Sequence, residues 1–371
     1  MSAPASRTYH SIDILKVVAA LLVVAIHARP FVGKTYPLYI SLFSRMAVPV
    51  FFVVSAFFFF RKKPDTAQLK HYVRRMGWLY AFWFVLEAYF TIDGVFFNHD
   101  RSVLESLSHF ICGFFLNSTF SGSWFIMALI ICIPLVHWLG KRLSSWAIFG
   151  IGLAVYVPVT LTTNYHAYMP HSVQHATNVA FNVIGLYHNS FMPAIVFCSM
   201  GKLIAEYENR IAKCGNLAST AVLLLCMVGA WAEVAGHKAR FDDCYFMLIP
   251  TAAAIVVWTL RHEVNWHLPY KTLRNFSTIT YFSHFIFVWF LTGKGIFSPV
   301  ATYFVIVALC VVTTIVMLRL SRRIPLLTDA NKSPVYKYSD YILATAADEI
   351  NYRILGLTSR ITQLAIVDTL Y

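Results

Sequence analysis

The chain has 371 residues, of which 58% are apolar and only 13% charged, and its formal net charge is +13. Roughly a quarter of the residues of an ordinary soluble domain are charged, so a water-soluble globule is excluded. In a soluble protein the positive balance would point to nucleic acid, but here the basic residues sit in short loops on alternate sides of apolar runs, and no nucleic-acid partner is expected.

Those runs, each about 18 to 20 residues long, recur from end to end and suffice to cross a hydrocarbon layer of roughly 30 Å. In chain order they predict spans near 12–32, 42–60, 72–92, 122–140, 145–162, 188–206, 217–236, 244–260, 275–293 and 296–319. The fold class is therefore all-α: a polytopic membrane helix bundle of about ten transmembrane helices. Arg61, Lys62, Lys63, Lys70, Arg74 and Arg75 crowd one loop, and Lys141, Arg142, Lys202, Arg210, Lys213, Arg261, Lys271, Arg274, Arg319, Arg322 and Arg323 fall on the same side. The positive-inside rule makes that side cytoplasmic and puts both termini there, in the plasma (inner) membrane. The first span is read as retained rather than as a cleaved signal, because Asp13 and Lys16 lie inside it and no small-x-small site follows His27.

No repeat of fixed period stands out, and no Gly/Pro-broken helices pair up in matching halves as in an inverted-repeat transporter. Residues 1–324 read as one membrane domain. Two outer segments, 93–121 and 163–187, are long enough either to cap an outward cavity or to be simple connectors. The seven cysteines show no CxxC or Cys/His spacing and are read as packing residues, with no metal expected. Residues 325–371 form a cytoplasmic tail in which Leu343, Ala347, Ile350, Ile354, Leu357, Ile361 and Leu364 step as a heptad seam. That seam fits packing on the protein's own cytoplasmic face, pairing with another copy, or lying in the membrane interface.

Ionisable groups inside a span are costly and usually face the bundle interior or a wet cavity. Lys16 and His27 are eleven positions apart. At about 100° per residue they return to within roughly 20° of one face and lie about 16 Å apart along the axis. Asp13 shares the stripe. In a chemical reading, Lys16 neutralises an anion entering from the cytoplasm and His27 is a general base deeper in. In the plain alternative, Asp13 pairs with Lys16 at the interface, Lys16 snorkels and His27 is hydrogen-bonded within the bundle.

The segment Ser11-Ile12-Asp13-Ile14-Leu15-Lys16, ten residues, then His27, resembles the opening of the membrane acyltransferase-3 family. Four further segments resemble it in order: Arg45-Met46-Ala47-Val48-Pro49-Val50-Phe51-Phe52 followed by Ser55, His71-Tyr72-Val73-Arg74-Arg75, Ser123-Trp124-Phe125-Ile126, and Tyr281-Phe282-Ser283-His284. Together they cover the chain to about residue 320. Within the family the chain looks closer to small sugar O-acetyltransferases, and to the membrane half of membrane serine/alanine racemases, than to members with an esterase-like domain. Neither a racemase nor an esterase domain is expected. Two positions depart from the pattern. Lys16 stands where many members have Arg, so bidentate grip on an anion is lost while charge remains. Ala56 stands where Gly usually follows the serine, which restricts close backbone approach.

The resemblance implies an O-acetyltransferase: a cytoplasmic acyl-CoA donor, acetyl-CoA by family default, and an acceptor hydroxyl on a surface or lipid-linked carbohydrate. Lys16, Asp13, Arg74 and Arg75 are the donor-side candidates, with Lys62 and Lys70 adding to the basic mouth. His27 is the base, or else the carrier of an acyl-histidine intermediate. Arg45, Ser55, Trp124 and His284 are oxyanion or acceptor candidates. Glu87, Glu233, Asn189, Asp242 and Asp243 are weaker ones, for which wet gaps or loop polarity are the simpler account. The competing class is a transporter or flippase carrying an amphiphilic metabolite along the same polar stripe. A sensor or partner protein, with pairing of copies as one form of it, rests on the heptad tail alone.

Overall fold

A computed structural model describes residues 9–31, 37–89, 103–116, 118–236 and 243–323. Twelve helices organise them: α1 (His10–Ala28), α2 (Ala47–Arg61), α3 (Thr66–Leu86), α4 (Val103–Leu116), α5 (Ser123–Leu139), α6 (Ser145–Thr163), α7 (His171–Ile184), α8 (Phe191–Glu206), α9 (Asn216–Gly236), α10 (Leu248–Arg261), α11 (Tyr270–Leu291) and α12 (Pro299–Arg323), with a single turn at Glu208–Ile211 between α8 and α9. No strand occurs among the described residues. The tail 325–371, with its expected heptad seam, lies outside them, as does Asp242.

Each of the ten predicted ranges falls on a helix. Five helical segments are long and apolar enough to cross a membrane: His10–Ala28, Tyr39–Arg61, Ser145–Thr163, Asn216–Gly236 and Pro299–Leu320. Two of these turn apolar side chains outward, with Leu225 on α9 72% exposed and Phe304 on α12 64% exposed. Surfaces of that kind are stable against lipid rather than water. α5 and α10 are apolar but shorter. α3 begins at Thr66 because Asp65 and Gln68 form a capping box, Asp65 Oδ1 accepting from the Gln68 amide at 2.7 Å and Gln68 Oε1 from the Asp65 amide at 2.9 Å. Its first turns therefore carry Lys70, Arg74 and Arg75 ahead of the apolar part.

α2 is the centre of the bundle: nearly all of its residues are buried. Its closest partner is α8, and the contact depends on Gly201. A Cβ there would run into the Val53 carbonyl and the Ala56 methyl. The alanine that departs from the family pattern on α2 is thus accommodated by a glycine on the facing helix, so the backbones still approach closely. α1 packs on α11, α11 on α12, α6 on α8, and α9 on α10.

Caps come from tertiary neighbours where the local sequence has none. Tyr9 cannot cap α1, and Glu263, from the loop after α10, accepts from the His10 and Ser11 amides instead. Glu233 on α9 accepts from the amides of Phe246 at 2.7 Å and Met247 at 2.6 Å, and from the Tyr165 hydroxyl at 2.6 Å. It thereby ties the turn that leads into α10 to α9. Segments 93–121 and 163–187 carry α4 and α7 among their described residues, and these two helices touch each other.

Candidate active site

Residues from six loops and helix ends enclose a cavity of about 470 Å³ at the end of the bundle where α1 finishes. His27 and Arg45 lie on its wall, together with Trp124, His188, Asn189 and Asp243. Apolar groups, including Phe52, Phe197 and Phe285, supply most of the remainder. The size and the mix of an apolar wall with a few convergent polar groups are those of a small-molecule site, for which roughly 300–1,000 Å³ is usual.

Each polar group is placed by local backbone features. His27 ends the last turn of α1, where Arg29 adopts a left-handed conformation with φ 48° and stops the helix. Arg45 sits in a 3-10 turn, Ser44–Met46, between a π-helical stretch at Pro37–Phe43 and α2. Such changes of winding re-aim side chains and are common at functional sites. Gly122 precedes α5 with φ 76°, and a Cβ there would meet the Phe285 ring. Trp124 and His27 can therefore share one cavity with Phe285 only because that position has no side chain.

The His27 ring lies 4.5 Å, centre to centre, from Phe285 and 5.4 Å from His284. His284 is fully buried behind it and donates Nδ1–H to the Thr280 carbonyl at 2.9 Å. In the neutral ring that leaves Nε2 as an acceptor, and Nε2 has no hydrogen-bond partner among the described residues. On the facing wall, Asp243 pairs with Arg45 and stands 3.1 Å from His188 Nε2. Burial alone would push the Asp243 carboxyl up, but the Arg45 guanidinium, helped by His188, outweighs it and holds the group below the usual carboxylate range.

The remaining candidates lie elsewhere. Lys16 is 1% exposed, its ammonium 5.5 Å from the centre of the Phe58 ring, with no hydrogen-bond partner among the described residues. Asp13 forms its ion pair with Arg274 at 3.6 Å. Neither lines the cavity, and neither does Ser55, which is buried with its hydroxyl unpartnered among the described residues. Arg74 is exposed and Arg75 half-buried near the start of α3. Glu87 is buried against the backbone of Ser121, a cavity residue. Sequence reading passed over His188, a lone histidine at a predicted span boundary. The signal available was its neighbour Asn189 and the long His-rich segment before it.

The acyltransferase-3 family model, an acyltransferase domain, matches residues 9–320. The chain belongs to that family, and its long apolar helices are those of a membrane protein. A curated amino-acid racemase of Enterococcus faecalis is 24% identical over 264 residues, covering 69% of this chain and 35% of the relative. The chain thus spans about a third of that relative's length, and its activity does not transfer. No solved structure matches.

Proposed function

We propose that the protein transfers an acyl group, acetyl by family default, from cytoplasmic acyl-CoA to a hydroxyl of a cell-surface or lipid-linked carbohydrate, with His27 as general base. The observation that carries this reading is His27 on the wall of a ligand-sized cavity that also holds the Arg45 guanidinium. The acceptor oxygen attacks the thioester carbonyl while His27 takes its proton. The C–S bond then breaks, and the leaving thiolate takes that proton back from the imidazolium. No protein nucleophile is required, and a general base of this kind contributes about 10²–10⁴-fold.

Arg45 Nε, buried without a hydrogen-bond partner among the described residues, suits the developing oxyanion. Trp124 offers an indole N–H on the same wall. His284, with Nε2 as acceptor, suits orienting His27 better than donating to the oxyanion. Lys16 supports donor entry from the opposite end of α1, since a buried ammonium whose hydrogen bonds are unmet among the described residues is costly unless an anion joins it. Asp13 and Arg274 flank that entry, and Arg74 and Arg75 are suited to the nucleotide phosphates. This arrangement requires both termini in the cytoplasm and the cavity opening outward from the plasma membrane, in a bundle of ten spans.

The test is acetyl-CoA consumption by purified protein in lipid vesicles supplied with an envelope glycan extract. Acceptor-dependent turnover, lost in His27→Ala and retained with a raised donor KM in Lys16→Ala, is the expected outcome. Undiminished turnover in His27→Ala removes the proposed base. A wild type that neither binds nor consumes acyl-CoA sinks the enzyme reading in favour of transport along the same stripe.

A further inference from the structure

The Arg45–Asp243–His188 group joins three distant parts of the chain: the 3-10 turn before α2, the loop before α10 and the loop before α8. All three residues line the cavity that holds His27. His188 is 2% exposed, and its Nε2 lies 3.1 Å from Asp243 Oδ2. The His188 ring thus faces the carboxylate at ion-pair distance, so Asp243 can hold its orientation. The other oxygen of Asp243 is held by Arg45.

The charge consequence matters as much as the geometry. Arg45 and Asp243 are the two ionised side chains among the described residues of the lining, and they are paired. Arg29, next along from His27 and its helix end, is exposed and does not line the cavity. With its histidines neutral, the described part of the polar wall therefore carries dipoles and hydrogen-bonding groups but no net charge. An anionic acceptor entering it would lose hydration, meet Asp243, and find the guanidinium already neutralised. A polyhydroxyl group without charge meets no such penalty.

We propose that His188 orients the acceptor hydroxyl, that Asp243 is the positioning residue holding it, and that the Arg45–Asp243 pair makes this site select an uncharged acceptor. The inference rests on the acyltransfer reading and specifies its acceptor side.

The experiment titrates neutral and acidic pools of envelope oligosaccharides, separated by charge, into the purified protein by calorimetry without acyl donor. The neutral pool should bind at least tenfold more tightly. Asp243→Asn leaves Arg45 uncompensated and should turn the preference toward the acidic pool, a gain that simple structural damage does not produce. Arg45→Gln, a second variant should Asp243→Asn fail to fold, should weaken the acidic pool further relative to the neutral one. His188→Ala should raise the neutral-pool Kd about tenfold, with partial recovery in His188→Gln, whose amide can still donate to Asp243. Equal or tighter wild-type binding of the acidic pool, no binding of either pool, or the same loss for both pools in Asp243→Asn overturns the proposal. Acyl-CoA titrated into the same preparation tests the function separately. Donor binding without a neutral-pool preference fails this inference alone, whereas a neutral-pool preference without donor binding fails the acyltransfer reading.

Discussion

The rings of His27 and His284 lie 5.4 Å apart, and His284 is fixed from behind by its bond to the Thr280 carbonyl. One histidine thus faces a cavity while the other is locked by the helix that carries it. His27→Ala should lower kcat by about 10²–10⁴-fold, the usual contribution of a positioned base, with little change in thermal stability. His284→Ala should lower kcat less and leave both KM values near wild type, because it acts through the orientation of His27. Steady-state kinetics on the two variants at matched folding decide between these roles.

Lys16 separates stability from function. Replacing a buried charge that has no hydrogen-bond partner among the described residues by an apolar side chain of similar length removes a desolvation penalty, so Lys16→Met should raise the thermal midpoint. The same variant should raise the donor KM at least tenfold. A stabilised protein with an unchanged donor KM would show that Lys16 does not meet the donor.

Gly201→Ala places a methyl against the Val53 carbonyl and Ala56. A loss of about 1–3 kcal/mol is expected from overpacking of this kind. Ala56→Gly in the same chain should recover part of the loss but not all, since the carbonyl remains. Unfolding of the double variant against the two singles measures the coupling.

Glu233 ties together Tyr165 and the start of α10 through three hydrogen bonds. Glu233→Ala should cost about 1–3 kcal/mol by leaving buried donors unmet. Turnover per folded molecule should stay unchanged, as measured by activity normalised to the folded fraction. A selective loss of kcat would instead bring Glu233 into the chemistry.

The depressed Asp243 carboxyl gives a pH signature. A group whose folded pKa lies below its unfolded value contributes stability fully above the unfolded value, near 3.8, and loses it as pH falls through the folded one. The stability gap between wild type and Asp243→Asn should therefore be constant from neutral pH down to about 5 and narrow below the unfolded value. Thermal unfolding across that range checks it.

Hydropathy alone located every long helix, because a span must be continuously apolar to satisfy its backbone in lipid. The lysine–histidine spacing on α1 and the ordered motifs were equally legible, since each depends on residues close in sequence. Asp13 illustrates where that reading stops: local spacing suggested Lys16 as its partner, and the structure adds Arg274, far along the chain, at 3.6 Å. Ala56 looked like an obstacle until Gly201 was seen facing it. Glu233 reads in the sequence as an intramembrane carboxylate of open purpose, and its three donors, on distant parts of the chain, are visible only in the structure.

What the amino-acid sequence determined by itself was the membrane-helix class, the family and the candidate base His27, all properties of period, composition and local motif. The tertiary structure alone decided that Arg45, Asp243 and His188 meet on the wall that His27 faces, while Lys16 lies buried apart from that cavity. The reason is physical: ion pairs and cavities form where helix ends converge, and that convergence is set by the packing of α2 on α8 and α1 on α11 rather than by neighbours in the chain.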